Sequence, residues 1–208
     1  GQLVATSRSG YFTCNSVDCA GIPQEIPPVE ERGVVEVVEF YNTNLDHYFI
    51  TGTGVEADLV DEGAAGPGWI RTGESFLAWS LGAREDVVDV CRFYGSMHPG
   101  PNSHFYSVSP AECHFLMDLQ ELIPDEEPRW NFEGYAFSIL PPSQDEDIPC
   151  PEHTTPIYRA YNDAFSRGDD SNHRYVKNRA LLDPMLEEGW VFEGVAFCAP
   201  KSQDTSAN

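Results

Sequence analysis

Three histidines, His47, His104 and His173, open three similar short runs, HYFIT, HFYSV and HRYVK. Imidazoles brought together from three such runs could bind zinc or copper through their ring nitrogens. The plainer reading, which we adopt, has each histidine bonded within its own run and packed between rings. His98, His114 and His153 have no counterparts and read as surface residues. A second recurring set is aromatic: Tyr41, Tyr94 and Tyr161, and Trp69, Trp130 and Trp190. Flat rings beside polar groups can stack on sugars. Constant spacing is also what packing demands, so these rings read as core, and a sugar site is expected on the variable loops. A third candidate is the oxygen-rich loop DAFSRGDDSN, whose Asp163, Asp169 and Asp170 could hold calcium. It lacks the EF-hand pattern, and a solvated loop is the plainer account. Its Arg167-Gly168-Asp169 is an adhesion-like tripeptide, too short to weigh. There is no nucleophile elbow, phosphate-binding loop or dinucleotide fingerprint, so no catalytic residue is assigned and a non-catalytic protein is expected.

These residues recur because the chain repeats itself. The first copy, residues 37–81, reads VVEFYN, DHYFIT and GWIRTGESF. The second, 90–140, reads VCRFYG, SHFYSV and RWNFEGYAF. The third, 156–200, reads IYRAYN, NHRYVK and GWVFEGVAF. Gly73, Gly134 and Gly194 stand four residues after each Trp, and Phe76, Phe137 and Phe197 three residues later. Spacing that is rigid within runs and slack between them marks structural units with loop insertions. The first two runs of each copy, aromatic and β-branched, predict strands. Between His and Trp lies a helical stretch, with Ser109-Pro110 as an N-terminal signal, Gly63 and Gly189 as stops, and Pro184 as an interruption. The Trp run predicts a returning strand, and its Gly a bulge. The expected fold is therefore α+β and β-rich: three β-β-α-β repeats in a compact pseudo-threefold domain, like a three-bladed propeller or a trefoil. A linear stack is the other arrangement.

Residues 1–32 read as a Pro-rich arm, 33–200 as the three-repeat domain and 201–208 as a polar tail. The net charge of −22, from 34 acidic and 12 basic side chains, argues against nucleic acid and against anionic membrane surfaces. No apolar run is long enough for a transmembrane helix. Six cysteines outside any metal or redox motif predict disulfides in an oxidising compartment. Cys14–Cys19, Cys91–Cys113 and Cys150–Cys198 is the pairing that keeps every bridge within one unit.

The runs FYN…HYFIT…GW and YRAYN…NHRYV…GWVFEGVAF, over residues 37–200, resemble a repeat family of unknown function from bacterial secreted and cell-wall proteins, often C-terminal in hydrolases. That resemblance implies an extracellular accessory module and transfers no catalytic residue. Thr72-Gly73 stands where the other copies have Glu133-Gly134 and Glu193-Gly194, and Gly95 stands where Asn42 and Asn162 occur. The expected role is an extracellular or cell-surface structural or adhesive module. Its arm would bind a protein partner or a second copy, or else fold back on its own domain. A glycan- or surface-binding module and a histidine metal site are the alternatives. No cofactor beyond a weak calcium candidate is expected.

Overall fold

The computed structural model describes residues 33–95, 97, 100–145 and 147–201. The arm, the polar tail and the Cys14–Cys19 pair lie outside the described residues, or nearly so: of the tail, only Lys201 is within them.

Among the described residues, nine strands and three α-helices follow in three segments. The first holds β1 (Val34–Asn42), β2 (His47–Thr51), α1 (Gly54–Asp61) and β3 (Trp69–Trp79). The second holds β4 (Val88–Tyr94), β5 (His104–Ser107), α2 (Pro110–Leu122) and β6 (Asn131–Ile139). The third holds β7 (Thr154–Tyr161), β8 (His173–Val176), α3 (Asp183–Glu187) and β9 (Val191–Pro200). In every segment the opening strand lies between the other two: β2-β1-β3, β6-β4-β5 and β8-β7-β9, all antiparallel. The first two segments join into one six-stranded sheet through Trp79 and Ser138. The third forms its own sheet, bridged to the second at Leu140 and Cys198. The protein is thus β-rich, with short helices beside the sheets. None of the described helices is long and apolar enough to cross a membrane.

Local chemistry explains the boundaries. The Ser109 hydroxyl accepts from the Glu112 amide and caps α2, with Pro110 in the first turn, where its missing N–H costs nothing. Pro184 sits in the first turn of α3, so it shortens the helix from its start instead of breaking it midway. Gly134 and Gly194 take φ of 103° and 90° where the register of β6 and β9 shifts against the central strand. This left-handed backbone suits glycine and forms the bulge. The preceding Glu133 and Glu193 thereby turn back toward β4 and β7.

The core is built from the central strands and the strand ends. Val37, Phe40, Val90, Phe93, Ile157 and Ala160 are fully buried. Phe76, Phe137 and Phe197 form a triangle, their ring centroids 5.9, 6.0 and 6.5 Å apart. Disulfides join Cys91 to Cys113, tying β4 to α2, and Cys150 to Cys198, closing the third segment.

Candidate functional site

Strand register decides which of the recurring residues are equivalent. Tyr94 pairs with His104 and Tyr161 with His173. In the first segment Tyr41 pairs with Tyr48, and His47 lies opposite Asn42. The equivalence expected for His47 is therefore corrected by one residue. Tyr48 stands where the other segments have histidine, and His47 stands where they have Ser103 and Asn172, whose carbonyls accept from the Gly95 and Asn162 amides. A slip of one residue in a strand turns a side chain to the opposite face, so the three histidines do not converge. His104 stacks on Tyr94 and against Phe49 (4.7 and 4.6 Å), His173 on Tyr161 and against Phe105 (4.7 and 4.9 Å), and His47 approaches Asp170 at 3.9 Å. The repeated Trp residues are half-buried where the segments meet: Trp69 against Phe49, Trp130 against Phe105 and His173, and Trp190 against Tyr48.

Each boundary between segments is stitched by a half-buried arginine. Between the first and second segments, Arg92 lies 2.9 Å from both Glu56 of α1 and Glu133 of its own segment. Between the second and third, Arg159 lies 3.2 Å from Glu112 of α2 and 2.8 Å from Glu193. Thr51 and Ser107 each hydrogen-bond the carboxylate five residues on, which fixes Glu56 and Glu112. Between the third and first segments the charges are exchanged. Glu39 occupies the arginine position and pairs with Arg174 at 3.0 Å. Tyrosines add a second thread: the Tyr106 hydroxyl donates to the Ile50 carbonyl (2.6 Å) and the Tyr175 hydroxyl to the Tyr106 carbonyl (2.9 Å).

Sequence reasoning missed these arginines, although one signal was present. The two departures of the first copy come as a pair: Glu39 where Arg is expected, and Thr72 where Glu is expected. A change on both sides of a pair points to contact.

A cleft of about 420 Å³ opens between α2 and the loop joining β7 to β8. One wall is Phe115, Leu116 and Leu119 of α2, with Ile123, Pro128, Arg129 and Trp130 after it. The other is Tyr161, Phe165, Ser171 and His173, with Phe105 and Glu112 also lining it. Phe115 and Phe165 are 63% and 61% exposed, unusual for phenylalanine, and both border this cleft. Asn162 builds the loop: its amide donates to the Asp170 carbonyl, and its side-chain oxygen accepts from the Ala164 and Asn172 amides. The short 3-10 turn Phe165–Arg167 then carries Phe165 outward.

Burial dominates the electrostatics. It lowers His104 and His173 to pKa values of about 3, helped by the neighbouring Arg92 and Arg159. Burial raises Glu133 and Glu193 despite those arginines. Burial would raise Glu112 too, but hydrogen bonds from Arg159 and Ser107 outweigh it and hold the carboxyl low. Nδ1 of His173 has no hydrogen-bond partner among the described residues. The calcium candidates have separate partners: Asp170 accepts from Asn102 and the Gly100 amide, and Asp163 from Ser166. Among the described residues, no group of three or more His, Cys, Asp or Glu side chains could hold a metal ion.

Set against known proteins, the chain belongs to the family described as a domain of unknown function, DUF5648, whose sequence profile matches it twice, over residues 18–121 and 115–208. The two matches meet within α2, inside the second segment. No curated protein and no solved structure matches the chain.

Proposed function

We propose that this member of a family without an assigned activity is a non-catalytic, extracellular glycan-binding module. In this reading the three segments close a pseudo-threefold ring, and the ligand sits in the cleft between the second and third. The phenylalanine triangle and the three arginine–carboxylate boundaries support the ring. Two disulfides favour an oxidising compartment, as does the likeness to bacterial secreted repeats. The single observation that carries the binding role is the pair of exposed rings, Phe115 and Phe165, at a cleft of ligand size. Apolar C–H faces of a sugar ring would stack on them, with hydroxyls reaching Glu112 and Ser171.

A binding role also fits the buried imidazoles. General bases work best with a pKa near the working pH, and His104 and His173 at about 3 are poor ones. The structural or adhesive role expected from the arm rests on residues outside the described ones.

The test is a glycan panel followed by calorimetry on the wild type and on Phe115→Ala/Phe165→Ala. The double variant should keep its melting temperature and lose about tenfold or more in affinity, since two stacking contacts are removed. Unchanged affinity in a folded double variant would place the ligand elsewhere.

A further inference from the structure

We infer that the cleft selects acetamido sugars, the neutral N-acetylated amino sugars, over sugars bearing a plain hydroxyl at the same carbon; this rests on the glycan-binding reading above. The wall on α2 is one helix face. Glu112, Phe115, Leu116 and Leu119 stand at i, i+3, i+4 and i+7 and all line the cleft, and Ile123 continues the row. Stacking of a sugar accounts for the rings of Phe115 and Phe165. It does not account for the aliphatic row beside them. Sugar hydroxyls laid against Leu116, Leu119 and Ile123 would lose water and gain no hydrogen bond. An acetamido group removes that conflict, because its methyl is the part that meets the leucines.

The same group also carries an N–H, and the row begins at an acceptor. Glu112 lines the cleft one helical turn before Leu116, and its side chain is 42% exposed, so a ligand can reach it. Among the described residues its Oε1 accepts from Arg159 alone, which leaves room among a carboxylate's roughly four acceptor positions. Burial would raise its pKa, but hydrogen bonds from Arg159 and Ser107 hold the carboxyl low, so it is ionised and can only accept. Side chains one turn apart lie about 5–6 Å from each other, and a planar amide holds its N–H and methyl about 2.5 Å apart. One acetamido group thus spans from the carboxylate to the aliphatic row, with its carbonyl left to water. A sugar acid fits worse. It would face the Glu112 carboxylate, and Arg129 is already paired with Asp125 and bonded to the Gln120 and Ile123 carbonyls.

The experiment is calorimetric titration of the whole chain with cello-, chito- and chitosan tetrasaccharides. These share one backbone and carry hydroxyl, acetamido and free amine at the same carbon. Salt is kept high enough to screen exposed charges. The acetamido form should bind about tenfold tighter than the other two, the scale of one buried methyl and one hydrogen bond. Leu119→Asn should erase that preference and leave the hydroxyl form within about twofold. Ile123→Thr, beyond the helix, should reduce it too, which separates the wall from helix stability. Phe115→Ala/Phe165→Ala should weaken the acetamido and hydroxyl forms alike. A hydroxyl or amine form that binds as tightly, and is lost in the ring variant, would overturn the acetamido inference and leave the cleft reading standing. A preference indifferent to both Leu119→Asn and Ile123→Thr would overturn it as well. Binding of another glycan from the panel but of none of these three would do the same, and no binding of any glycan would defeat both readings.

Discussion

Two boundaries of the same design have diverged in opposite directions. The boundary between the second and third segments keeps the arginine of the central strand, a histidine stacked on tyrosine, and an open cleft beside its helix. The boundary between the third and first has the charges exchanged, tyrosine in place of histidine, and its carboxylate buried to 2% exposure. Both boundaries also set an arginine over a ring, Arg174 over Tyr48 at 4.4 Å and Arg159 over Phe105 at 5.2 Å. The difference is one of loop and helix length. α2 runs over 110–122 and the β7–β8 loop over 162–172, whereas α3 covers 183–187 and the β1–β2 loop 43–46. One shared strand order thus accompanies both a close ion-paired contact and a recess, and the two differ in the helices and loops added to the strands.

The largest effect should come from breaking the closed boundary. Arg174→Ala would strand Glu39 without its partner in a nearly dry site, costing about 3–5 kcal/mol in denaturant unfolding. The exchange Glu39→Arg with Arg174→Glu should recover part of that loss. No recovery would mean that packing, not charge, closes this boundary. Arg159→Ala should cost less, about 2 kcal/mol, because Glu112 and Glu193 are 42% and 25% exposed and water can reach them.

Acid should then separate the boundaries by their histidines. His104 and His173 have folded pKa values of about 3 against an unfolded value of about 6.5, so the unfolded chain takes up the protons first. Their contribution is fully present above pH 6.5 and is lost as pH falls toward 3. Glu193 and Glu133, raised by burial from 4.5, act with the opposite sign. The imidazole effect is therefore read between about pH 6.5 and 5, where each histidine should account for about 2 kcal/mol. His173→Gln should flatten that slope, while His47→Gln, outside the stacked positions, should change it less. Smallest in stability is the rim of the cleft: Phe115→Ala/Phe165→Ala should shift unfolding by no more than about 0.5 kcal/mol, since exposed rings contribute little to folding.

Much of this comparison was legible before any coordinates. The fixed Trp-to-Gly-to-Phe spacing pointed to the returning strands, their bulges and the residues of the phenylalanine triangle. The histidine alignment went astray because the runs HYFIT and HFYSV look alike as text. Register is set by what points inward, and Ile50, Tyr106 and Tyr175 share that place. The boundary arginines escaped notice since a charged residue in a strand reads as solvent-facing, until a paired change across two segments exposes its partner. The cleft was foreshadowed only as a preference for variable loops. Its depth depends on how α2 and the 162–172 loop lie across the boundary, which no spacing within one copy encodes.

Amide hydrogen exchange, with and without a saturating amount of the tightest-binding glycan from the panel, tests the account most directly. Protection is predicted in α2 and in residues 162–172, with α1, α3 and the 43–46 loop unchanged. Protection spread equally over all three boundaries, or confined to the first or third segment, would contradict the assignment of the binding site to the cleft between the second and third.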